Sequence, residues 1–572
     1  MTYQATSIPS ALQIIQADLD AGTVIHLWLK SCRPGLMADL RVAVEDIELA
    51  SVVTTRTDEF EFRELELSQG GKAVLSFNPL EASVSVIYAF HPLTVRDEGI
   101  FILHQASRNA PPILTDGYHF RPPFGWMNDP NGFGRFGGQV HLFYQHYPHS
   151  LRWNTMHWGH AISKDYIRWK HLPVFLFPSD ELSQRDDGRG GAFSGSAIPG
   201  IGTGESIRVF FTEQVRDRKP EEQIQLSALS HDGISAQAPS VIVPKRPEGL
   251  DLTLDFRDPY VFEGPDGNWK MLLGSRDKAG GVVLLYETLD PKGAGGWTFV
   301  GTLHREDRYG MTAAECPCIL PLGERKNPET RWALVFGLLT SRDPKTGRRN
   351  LTSITVGRFD GRTFEREAEQ ELDFGSDAYA FQAFVDDGGP VGIAWLANWT
   401  DVSKKEDFAT AMTLPRRILW DGCSVLTPPV ESVTSLRHLQ IDEAGLLATG
   451  ERVTLLSGAV EIELDLVMPG TPFELVFEHP DIDLGVRLDT EGLEILFGDR
   501  NAKASPRYLA TGARPSTVRV FLDAGSIEVF ADNGRWVGTK RLPSVSPVTS
   551  VRLAAPRGAI SGARVWQLKL LI

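Results

Sequence analysis

Cysteine is scarce in this chain, with only four residues in 572. They are Cys32, Cys316, Cys318 and Cys423. No Cys-x-x-Cys pair and no cluster of cysteine and histidine has the spacing of a zinc site, so the sequence predicts no structural metal. A chain of this length with so few cysteines also gives no reason to expect a disulfide framework.

Long apolar runs and an excess of basic residues are missing as well. No stretch of about 18 apolar residues occurs, which argues against a membrane-spanning helix. The segment Met1 to Ser7 lacks the basic and apolar regions of a signal peptide. We therefore expect a cytoplasmic protein, although a leader that had been removed would leave no trace. The net charge of −15 argues against a nucleic-acid partner and fits a neutral small molecule, and the sequence leaves a homo-oligomer open.

Short strands dominate what the chain does contain. Segments rich in β-branched and aromatic residues recur between Gly, Pro and Asn, which is typical of β-strands. Examples are Val24 to Lys30, Lys72 to Asn78, Ser83 to Phe90, Val140 to Gln145, Ile207 to Thr212, Trp269 to Gly274 and Trp332 to Gly337. Few segments have a helical pattern, and Ser10 to Ala17 is one of them. The predicted fold class is all-β.

The chain is too long for one ordinary core, so two or three domains are expected. Pro111-Pro112 marks a linker, which predicts an N-terminal β-rich domain at residues 1–114. Residues 115–431 read as a propeller or a sandwich, and periodicity alone does not choose between them, since no WD or kelch repeat occurs. In residues 432–572 the alternation of Ser526 to Asp532, followed by Asn533-Gly534, predicts a hairpin in a β-sandwich.

Three acidic residues are candidates for chemistry. They are Asp129 within Trp126 to Gly132, Asp258 within Phe256 to Tyr260, and Glu315 within Ala314 to Cys318. Read alone, each has an ordinary explanation: a turn, an ion pair with Arg257, and a glutamate facing water at a strand end. Partial burial of Glu315 among small and apolar neighbours would instead keep its carboxyl group protonated near neutrality.

Cleavage of a glycosidic bond requires two carboxyl groups with different chemical roles. A retaining enzyme uses one as nucleophile and the other as acid and base, roughly 5 to 5.5 Å apart, whereas inversion needs roughly 6.5 to 9.5 Å. The candidates lie far apart in the chain, so the fold must bring them together. Sequence spacing does not reveal their separation.

The three acidic segments and several others, in order, resemble glycoside hydrolase family 32, the group of invertases, levanases and inulinases. The further matching segments are His141 to Gln145, His157 to Ala161, Phe193 to Ser196, Asp377 to Gln382, Trp395 to Trp399, Leu414 to Arg416, Pro429 to Glu431 and Ser526 to Phe530. The resemblance covers roughly residues 115 to 572. It implies a five-bladed β-propeller (115–431) followed by a C-terminal β-sandwich (432–572). The additional N-terminal β-rich domain is a departure from the family.

The resemblance also implies roles. Asp129 matches the nucleophile, Glu315 the acid and base, and Asp258 the residue that stabilises the transition state through the fructose hydroxyl groups. Positions similar to the family's fructose pocket are Asn128, Gln145, Trp153, Phe193, Ser194, Arg257 and Trp395. Of these, Trp153 and Trp395 could equally be propeller core. Arg257 would favour charge on Asp258 and could tune Glu315.

Four histidines, His146, His149, His157 and His160, fall close together in this region. We interpret them as packing behind the pocket with fixed tautomers, rather than as a metal site.

The leading hypothesis is a retaining β-fructofuranosidase that hydrolyses sucrose, fructo-oligosaccharides or fructan without a cofactor. A fructosyltransferase of the same family would use the same carboxylates. A non-catalytic fructan-binding protein is disfavoured, because it would have no need for both Asp129 and Glu315. Related five-bladed arabinan and xylan hydrolases also use two Asp and a Glu, but the segment Asn128 to Gly132 and the C-terminal sandwich favour the fructosidase.

Overall fold

The computed structural model describes the whole chain except residues 1–11, 107–115, 184, 186, 291–294, 311, 403–406, 442–446, 448–449, 481, 500–505, 543–545 and 572. Strands make up most of the described residues, which confirms the all-β prediction. The predicted helix at Ser10 to Ala17 is wrong from Gln13 onward, where a strand lies at a sheet edge. Pro111-Pro112 and the 114/115 boundary fall outside the described residues. Within the described part, no helix is long and apolar enough to cross a membrane.

Two four-stranded antiparallel sheets form the N-terminal region. Their strands are β1 Gln13–Leu19, β2 Val24–Ser31, β3 Ala38–Val44, β4 Ile47–Thr54, β5 Glu61–Glu66, β6 Gly71–Phe77, β7 Ala82–Phe90 and β8 Phe101–Gln105, with helix α1 Val95–Glu98 before the last. The sheet orders are β1-β6-β3-β4 and β5-β2-β7-β8. Alternate side chains of β2, β3, β6 and β7 meet between the sheets in one apolar core. The region is therefore a small β-sandwich.

Five further sheets follow in chain order and form the blades of a propeller. Blade 1 is β9 Trp126–Phe136, β10 Gln139–Tyr147, β11 His157–Ser163 and β12 Trp169–Leu176. Blade 2 is β13 Gly190–Pro199, β14 Ile207–Val215, β15 Gln223–Ser230 and β16 Ser240–Val243. Blade 3 is β17 Phe256–Glu263, β18 Trp269–Arg276, β19 Gly281–Thr288 and β20 Thr298–Glu306. Blade 4 is β21 Ala313–Pro321, β22 Arg331–Arg342, β23 Arg349–Phe359 and β24 Phe364–Glu371. Blade 5 is β25 Tyr379–Asp386, β26 Gly389–Leu396, β27 Ala411–Met412 and β28 Arg416–Arg417.

The first strand of every blade lies at the centre of this ring. β9 contacts β13, β13 contacts β17, β17 contacts β21, β21 contacts β25, and β25 contacts β9 again. The ring is therefore closed, and the propeller predicted from the resemblance is confirmed. A two-stranded sheet, β29 Leu419–Trp420 with β30 Val425–Leu426, and a 3-10 helix at Glu431–Leu436 connect it to the next region.

Two six-stranded sheets form the C-terminal sandwich. Their strands are β31 Arg437–Gln440, β32 Arg452–Thr454, β33 Val460–Leu466, β34 Phe473–Glu478, β35 Ile482–Leu488, β36 Gly492–Asp499, β37 Tyr508–Thr511, β38 Thr517–Asp523, β39 Ser526–Ala531, β40 Trp536–Arg541, β41 Ser550–Ala554 and β42 Ile560–Leu568. The predicted hairpin is confirmed as β39 and β40. Ile527 and Val529 point into the sandwich core, while Phe530 packs against the propeller, so both faces of β39 are buried.

Buried ion pairs join the sandwich to the propeller. His119 lies between two carboxylates of the sandwich, 2.9 Å from Asp523 and 2.9 Å from Glu528. Arg416 contacts Glu528 at 2.8 Å and Asp373 of the propeller at 3.1 Å. We call His119, Asp523, Glu528, Arg416 and Asp373 the junction cluster. All five side chains are almost fully buried, so their charges depend on one another for stabilisation.

Candidate active site

A β-bulge recurs at the same level of the inner strand in all five blades. At each bulge, two residues of the inner strand lie opposite one residue of its neighbour. The residue pairs are Asn128-Asp129 in β9, Phe193-Ser194 in β13, Asp258-Pro259 in β17, Cys316-Pro317 in β21 and Ala380-Phe381 in β25. Bulges bend a strand and redirect its side chains. The five bulges carry or adjoin Asp129, Asp258 and Glu315.

Asp129 is held by hydrogen bonds from two neighbouring side chains. Ser194 Oγ donates to Asp129 Oδ2 at 2.7 Å, and Asn128 Nδ2 donates to Asp129 Oδ1 at 2.9 Å. Asn128 is itself fixed by Trp126, whose indole N–H donates to Asn128 Oδ1 at 2.7 Å. Burial, reinforced by the charge of Glu315, raises the pKa of Asp129, although both donors favour its ionised form. The carboxylate is thus oriented on both oxygens.

Asp258 is buried and has a left-handed backbone, with φ of +64°. Thr212 Oγ1 accepts its backbone N–H at 3.0 Å, and the N–H of Cys316 donates to Asp258 Oδ2 at 2.8 Å. Burial raises the pKa of Asp258 to about 7, with contributions from the charges of Glu315 and Asp129, while Arg257 acts in the opposite direction. An aspartate with a left-handed backbone conformation is strained, and strained residues of this kind are found at functional sites.

Glu315 receives two strong hydrogen bonds from neighbouring blades. Arg257 Nη2 donates to Glu315 Oε1 at 2.6 Å, and the Tyr379 hydroxyl group donates to Glu315 Oε2 at 2.6 Å. The Glu315 side chain is 13% exposed, so the predicted partial burial is confirmed. Arg257 also binds Asp255 at 2.6 Å and lies 4.0 Å from Asp258, so its direct partner among the three acidic residues is Glu315.

The three acidic residues converge around one sulfur atom. Cys316 Sγ lies 3.7 Å from Asp129 Oδ2 and 3.6 Å from Asp258 Oδ2, and Glu315 is its neighbour in the chain. Cys316 has a left-handed backbone, with a φ of +47°, at the bulge of β21. Burial raises the pKa of the Cys316 thiol well above its usual range, so it remains protonated and can donate to the carboxylates. Three carboxyl groups distant in sequence therefore share one small site.

Of the remaining predicted site residues, two border the site and two lie behind it. Phe193 and Trp153 are half-buried, and their rings meet edge to face 6.2 Å apart. Gln145 is buried, and its amide donates to the carbonyl of Ala192 at 2.9 Å. Trp395 differs from the expected pocket wall, because it is fully buried with its ring centre 4.9 Å from that of Trp399. Phe193 and Trp153 thus border the site, whereas Gln145 and Trp395 lie behind it.

Tyr379 is a site residue that the sequence did not single out. Burial and the charge of Glu315 raise the pKa of its hydroxyl group, so it stays protonated and donates to Glu315. It also shares an apolar cluster with Trp126, Tyr147, Cys316 and Trp395. The sequence feature that could have identified Tyr379 is its position within the matched segment Asp377 to Gln382, directly before a bulge.

The four predicted histidines pack behind the site. His146 and His157 donate Nδ1–H to the carbonyl oxygens of Trp126 and Thr155, at 2.8 and 3.1 Å. Burial lowers the pKa of His146 to about 3 and of His157 to about 4, and it lowers those of His149 and His160 further below their usual range. They are therefore neutral at physiological pH. The carbonyl acceptors fix the tautomers of His146 and His157, whereas His149 contacts the Ser85 hydroxyl group and His160 contacts the ring of His141.

A sequence comparison assigns this site to a family. The model of the "Glycosyl hydrolases family 32 N-terminal domain" matches residues 119–429, which include all three acidic residues. The chain belongs to glycoside hydrolase family 32. Sucrose-6-phosphate hydrolase of Escherichia coli is 31% identical to it, over 79% of this chain and 94% of the relative. Levanase of Bacillus subtilis (strain 168) is 28% identical, over 77% of this chain and 68% of the relative. The family 32 protein is accordingly a glycoside hydrolase of the fructosidase type.

Solved family 32 structures have the same fold. One from Bifidobacterium adolescentis superposes with a TM-score of 0.83 at 22% identity and covers 98% of this chain and 99% of that one. The β-fructofuranosidase of Bombyx mori in complex with sucrose has a TM-score of 0.64 at 25% identity, over 80% of this chain and 94% of that one. The N-terminal sandwich is therefore shared with some members of family 32 and goes beyond what others contain.

Proposed function

We propose that the protein is a retaining β-fructofuranosidase that hydrolyses sucrose, fructo-oligosaccharides or fructan through a covalent fructosyl-enzyme intermediate. The observation that carries the proposal is the convergence of Asp129, Asp258 and Glu315 around Cys316. The names of the family 32 relatives, which include sucrose-6-phosphate hydrolase, raffinose invertase and levanase, support a fructoside as substrate.

Asp129 suits the nucleophile. Its two oxygens are oriented by Ser194 and Asn128, so attack on the anomeric carbon of a fructosyl unit needs no reorganisation of the carboxylate. In the first step an Asp129 oxygen bonds to this carbon while the bond to the glycosidic oxygen breaks. In the second step water replaces Asp129 at the same carbon and releases fructose.

Glu315 suits the acid and base. In the first step it gives its proton to the departing glycosidic oxygen, and in the second it takes a proton from the attacking water. Glu315 lies near both other carboxyl groups, since its charge contributes to the raised pKa values of Asp129 and Asp258. Tyr379 and Arg257 hold the carboxyl group in place through both steps.

Asp258 suits the role of binding fructose hydroxyl groups. Its Oδ2 is already occupied by the Cys316 backbone N–H, so the carboxyl group has a fixed direction beside the nucleophile. Hydrogen bonds from sugar hydroxyl groups to a fixed carboxylate strengthen as positive charge develops on the fructosyl ring. Phe193 and Trp153 would cover the apolar surface of the sugar.

Hydrolysis in dilute methanol tests the mechanism, because capture of the intermediate by methanol gives a stable product of defined configuration. Retention predicts methyl β-fructofuranoside from sucrose, and the α anomer would overturn it. Glu315→Gln should lower turnover about 10²- to 10⁴-fold, and Asp129→Asn should abolish it, with folding unchanged. Asp307→Asn, an exposed carboxyl group elsewhere, is the matched control.

A substrate panel tests the specificity. Sucrose, inulin, levan, sucrose 6-phosphate and an arabino-oligosaccharide would be compared by kcat/KM. Cleavage of the arabinan with no cleavage of any fructoside would overturn the proposal. Oligosaccharide products longer than the substrate, formed at high sucrose, would identify the transferase instead.

A further inference from the structure

The N-terminal sandwich packs onto blade 1 at the face of the propeller that carries the catalytic group. Its strands β2 and β7 share an apolar cluster with β11 and β12. Tyr88 of β7 accepts the backbone N–H of Val174 at 3.0 Å, and Ser85 contacts His149 at 2.8 Å. The match to the Escherichia coli relative spans 79% of the chain, and the match to the Bombyx mori structure 80%. The chemistry that these relatives share with this chain therefore does not require the domain.

The strand register shows which edge of blade 1 this domain covers. Met127, two residues before the nucleophile, pairs with His146, and His146 pairs with His157 in the next strand. Trp158 then pairs with Leu176, which ends the outermost strand. The start of β9 and the end of β12 therefore lie at the same edge. Three strand spacings separate them, about 14 Å.

A cavity of about 440 Å³ lies at this outer position, between the N-terminal sandwich and the end of blade 1. We call it the interdomain cleft. It is lined by Trp28, Arg56, Glu59, Phe60, Glu61, Phe62 and Arg63 of the sandwich and by His149, Thr155, His157, Phe177, Pro178, Asp180 and Ser183 of the propeller. The volume is in the range of small-molecule sites.

Aromatic rings form the walls of the interdomain cleft. Phe177 is 37% exposed, and its ring lies 4.7 Å from Phe62 and 5.7 Å from His157. Phe60 stacks on His149 at 4.6 Å. An exposed ring supported from behind by other rings offers a rigid face, which suits the apolar face of a sugar.

The polar groups of the cleft favour a neutral ligand. The cleft is lined by two arginines, Arg56 and Arg63, and by three carboxylates, Glu59, Glu61 and Asp180, and Arg63 contacts Glu61 at 2.6 Å. Among the described residues, the guanidinium group of Arg56 and the carboxylate of Asp180 have no hydrogen-bond partner. A cleft with both donors and acceptors fits hydroxyl groups, whereas a phosphate or a polyanion would need an excess of positive charge, which the lining residues do not supply.

The cleft is connected to the catalytic group through packed side chains. Glu59 of the sandwich accepts a hydrogen bond from the Tyr147 hydroxyl group at 2.8 Å. Tyr147 belongs to the apolar cluster that contains Cys316 and Tyr379. The segment between the two sites carries Trp153, which borders the catalytic group through Phe193.

We propose that the interdomain cleft is a distal sugar subsite. It binds the far end of a fructo-oligosaccharide whose terminal fructosyl unit lies at Asp129, and it thereby selects for chain length. This inference rests on the proposed function, because the same chain must occupy both sites. Sucrose is too short to span the distance, so its hydrolysis does not use the cleft.

The test is kcat/KM for sucrose, 1-kestose, nystose and longer inulin oligosaccharides. Phe177→Ala should leave sucrose unchanged and lower the value for the longest oligosaccharides about two- to tenfold, mainly through KM. Phe101→Ala is the matched control, because Phe101 is an exposed phenylalanine of the same N-terminal sandwich and does not line the cleft. If Phe177→Ala does not fold, Arg56→Gln replaces it, because Arg56 is only partly buried. The same loss of kcat/KM for the longest oligosaccharides, with sucrose unchanged, is expected of it.

Binding can be measured apart from turnover. In an Asp129→Asn background, calorimetric titration with long inulin oligosaccharides should give weaker binding when Phe177→Ala is added, and unchanged binding when Phe101→Ala is added. Equal effects of Phe177→Ala on all chain lengths, or none on any, would overturn the subsite. A wild-type enzyme that hydrolyses no fructoside would overturn the proposed function instead, so the two failures are distinct.

Discussion

The charge of His119 at the junction cluster predicts how stability changes with pH. Its hydrogen bonds to Asp523 and Glu528 outweigh burial and raise its pKa from 6.5 to about 10. Asp116 adds a further negative charge, and Arg416 and Arg541 are the cations that share these carboxylates. Because the folded pKa exceeds the unfolded one, the stabilisation is complete below pH 6.5 and is lost as pH rises toward 10.

The size of the effect follows from the shift. Each unit of pKa difference corresponds to about 1.4 kcal/mol, so the proton on His119 contributes on the order of 4–5 kcal/mol to the free energy of unfolding at pH 6.5. His119→Gln keeps a donor but never a charge, and it leaves two buried carboxylates short of a cation. Breaking a buried pair in this way costs about 3–5 kcal/mol.

The assay compares unfolding of the wild type and of His119→Gln at pH 6.5, 7.5, 8.5 and 9.5, by calorimetry and by urea. A chain of several domains need not unfold in one step, so the quantity of interest is the difference between the two proteins at each pH. This difference should be largest at pH 6.5 and shrink by about 1.4 kcal/mol per unit above it. His438→Gln, at an exposed histidine of β31, is the control. A difference in unfolding free energy between the two proteins that stays constant from pH 6.5 to 9.5 would refute the reasoning.

Two further predictions concern the catalytic group. Tyr379→Phe removes a 2.6 Å hydrogen bond to Glu315. A bond to a charged group contributes about 1.5–3 kcal/mol, so kcat on sucrose should fall about 10- to 100-fold and the pH profile should shift, which a loss of packing alone would not cause. Gly195→Ala would bring a Cβ to 1.8 Å from the carbonyl oxygen of Phe210. Strands β13 and β14 would separate at Ser194, and both activity and the melting temperature should fall, whereas Gly498→Ala, with open space around it, should change neither.

The fold was largely predictable because most strands have a clear local pattern. Val140 to Gln145 and Trp332 to Gly337 both lie inside longer observed strands, β10 and β22. Ser10 to Ala17 failed because its apolar spacing also fits an exposed edge strand, and β1 has a mostly exposed alternating pattern. Such a short segment gains its structure from pairing with β6, which no local pattern encodes.

The repeat of the propeller was not visible as a motif. No common residue marks the five bulges, because the first residue of each pair differs in type: Asn128, Phe193, Asp258, Cys316 and Ala380. They nevertheless recur about once every 60 residues, the length of one blade. What repeats is a backbone irregularity, and a backbone irregularity can be formed by many residue pairs.

The acidic residues of the site were predictable, whereas their contacts were not. Asp129, Asp258 and Glu315 came from matched segments, but apart from the bond between Asn128 and Asp129 within β9, their side-chain contacts cross from one blade to another. Tyr379 on blade 5 reaches Glu315 on blade 4, and Ser194 on blade 2 reaches Asp129 on blade 1. Side chains that meet only through closure of the ring have no signal in sequence spacing.

The C-terminal sandwich also contacts the segment that positions Tyr379 beside Glu315. Lys540 of β40 donates to Asp377 at 2.6 Å, and the backbone N–H of Arg541 donates to the same oxygen at 2.8 Å. Burial raises the pKa of Asp377 to about 7 although Lys540 lowers it, so this pair depends on the two domains remaining in contact. Tyr379, which holds Glu315, follows Asp377 by two residues. The propeller supplies Asp129, Asp258 and Glu315, whereas the segment that leads into the strand of Tyr379 is bound by the sandwich, so the position of Tyr379 beside Glu315 depends on both domains.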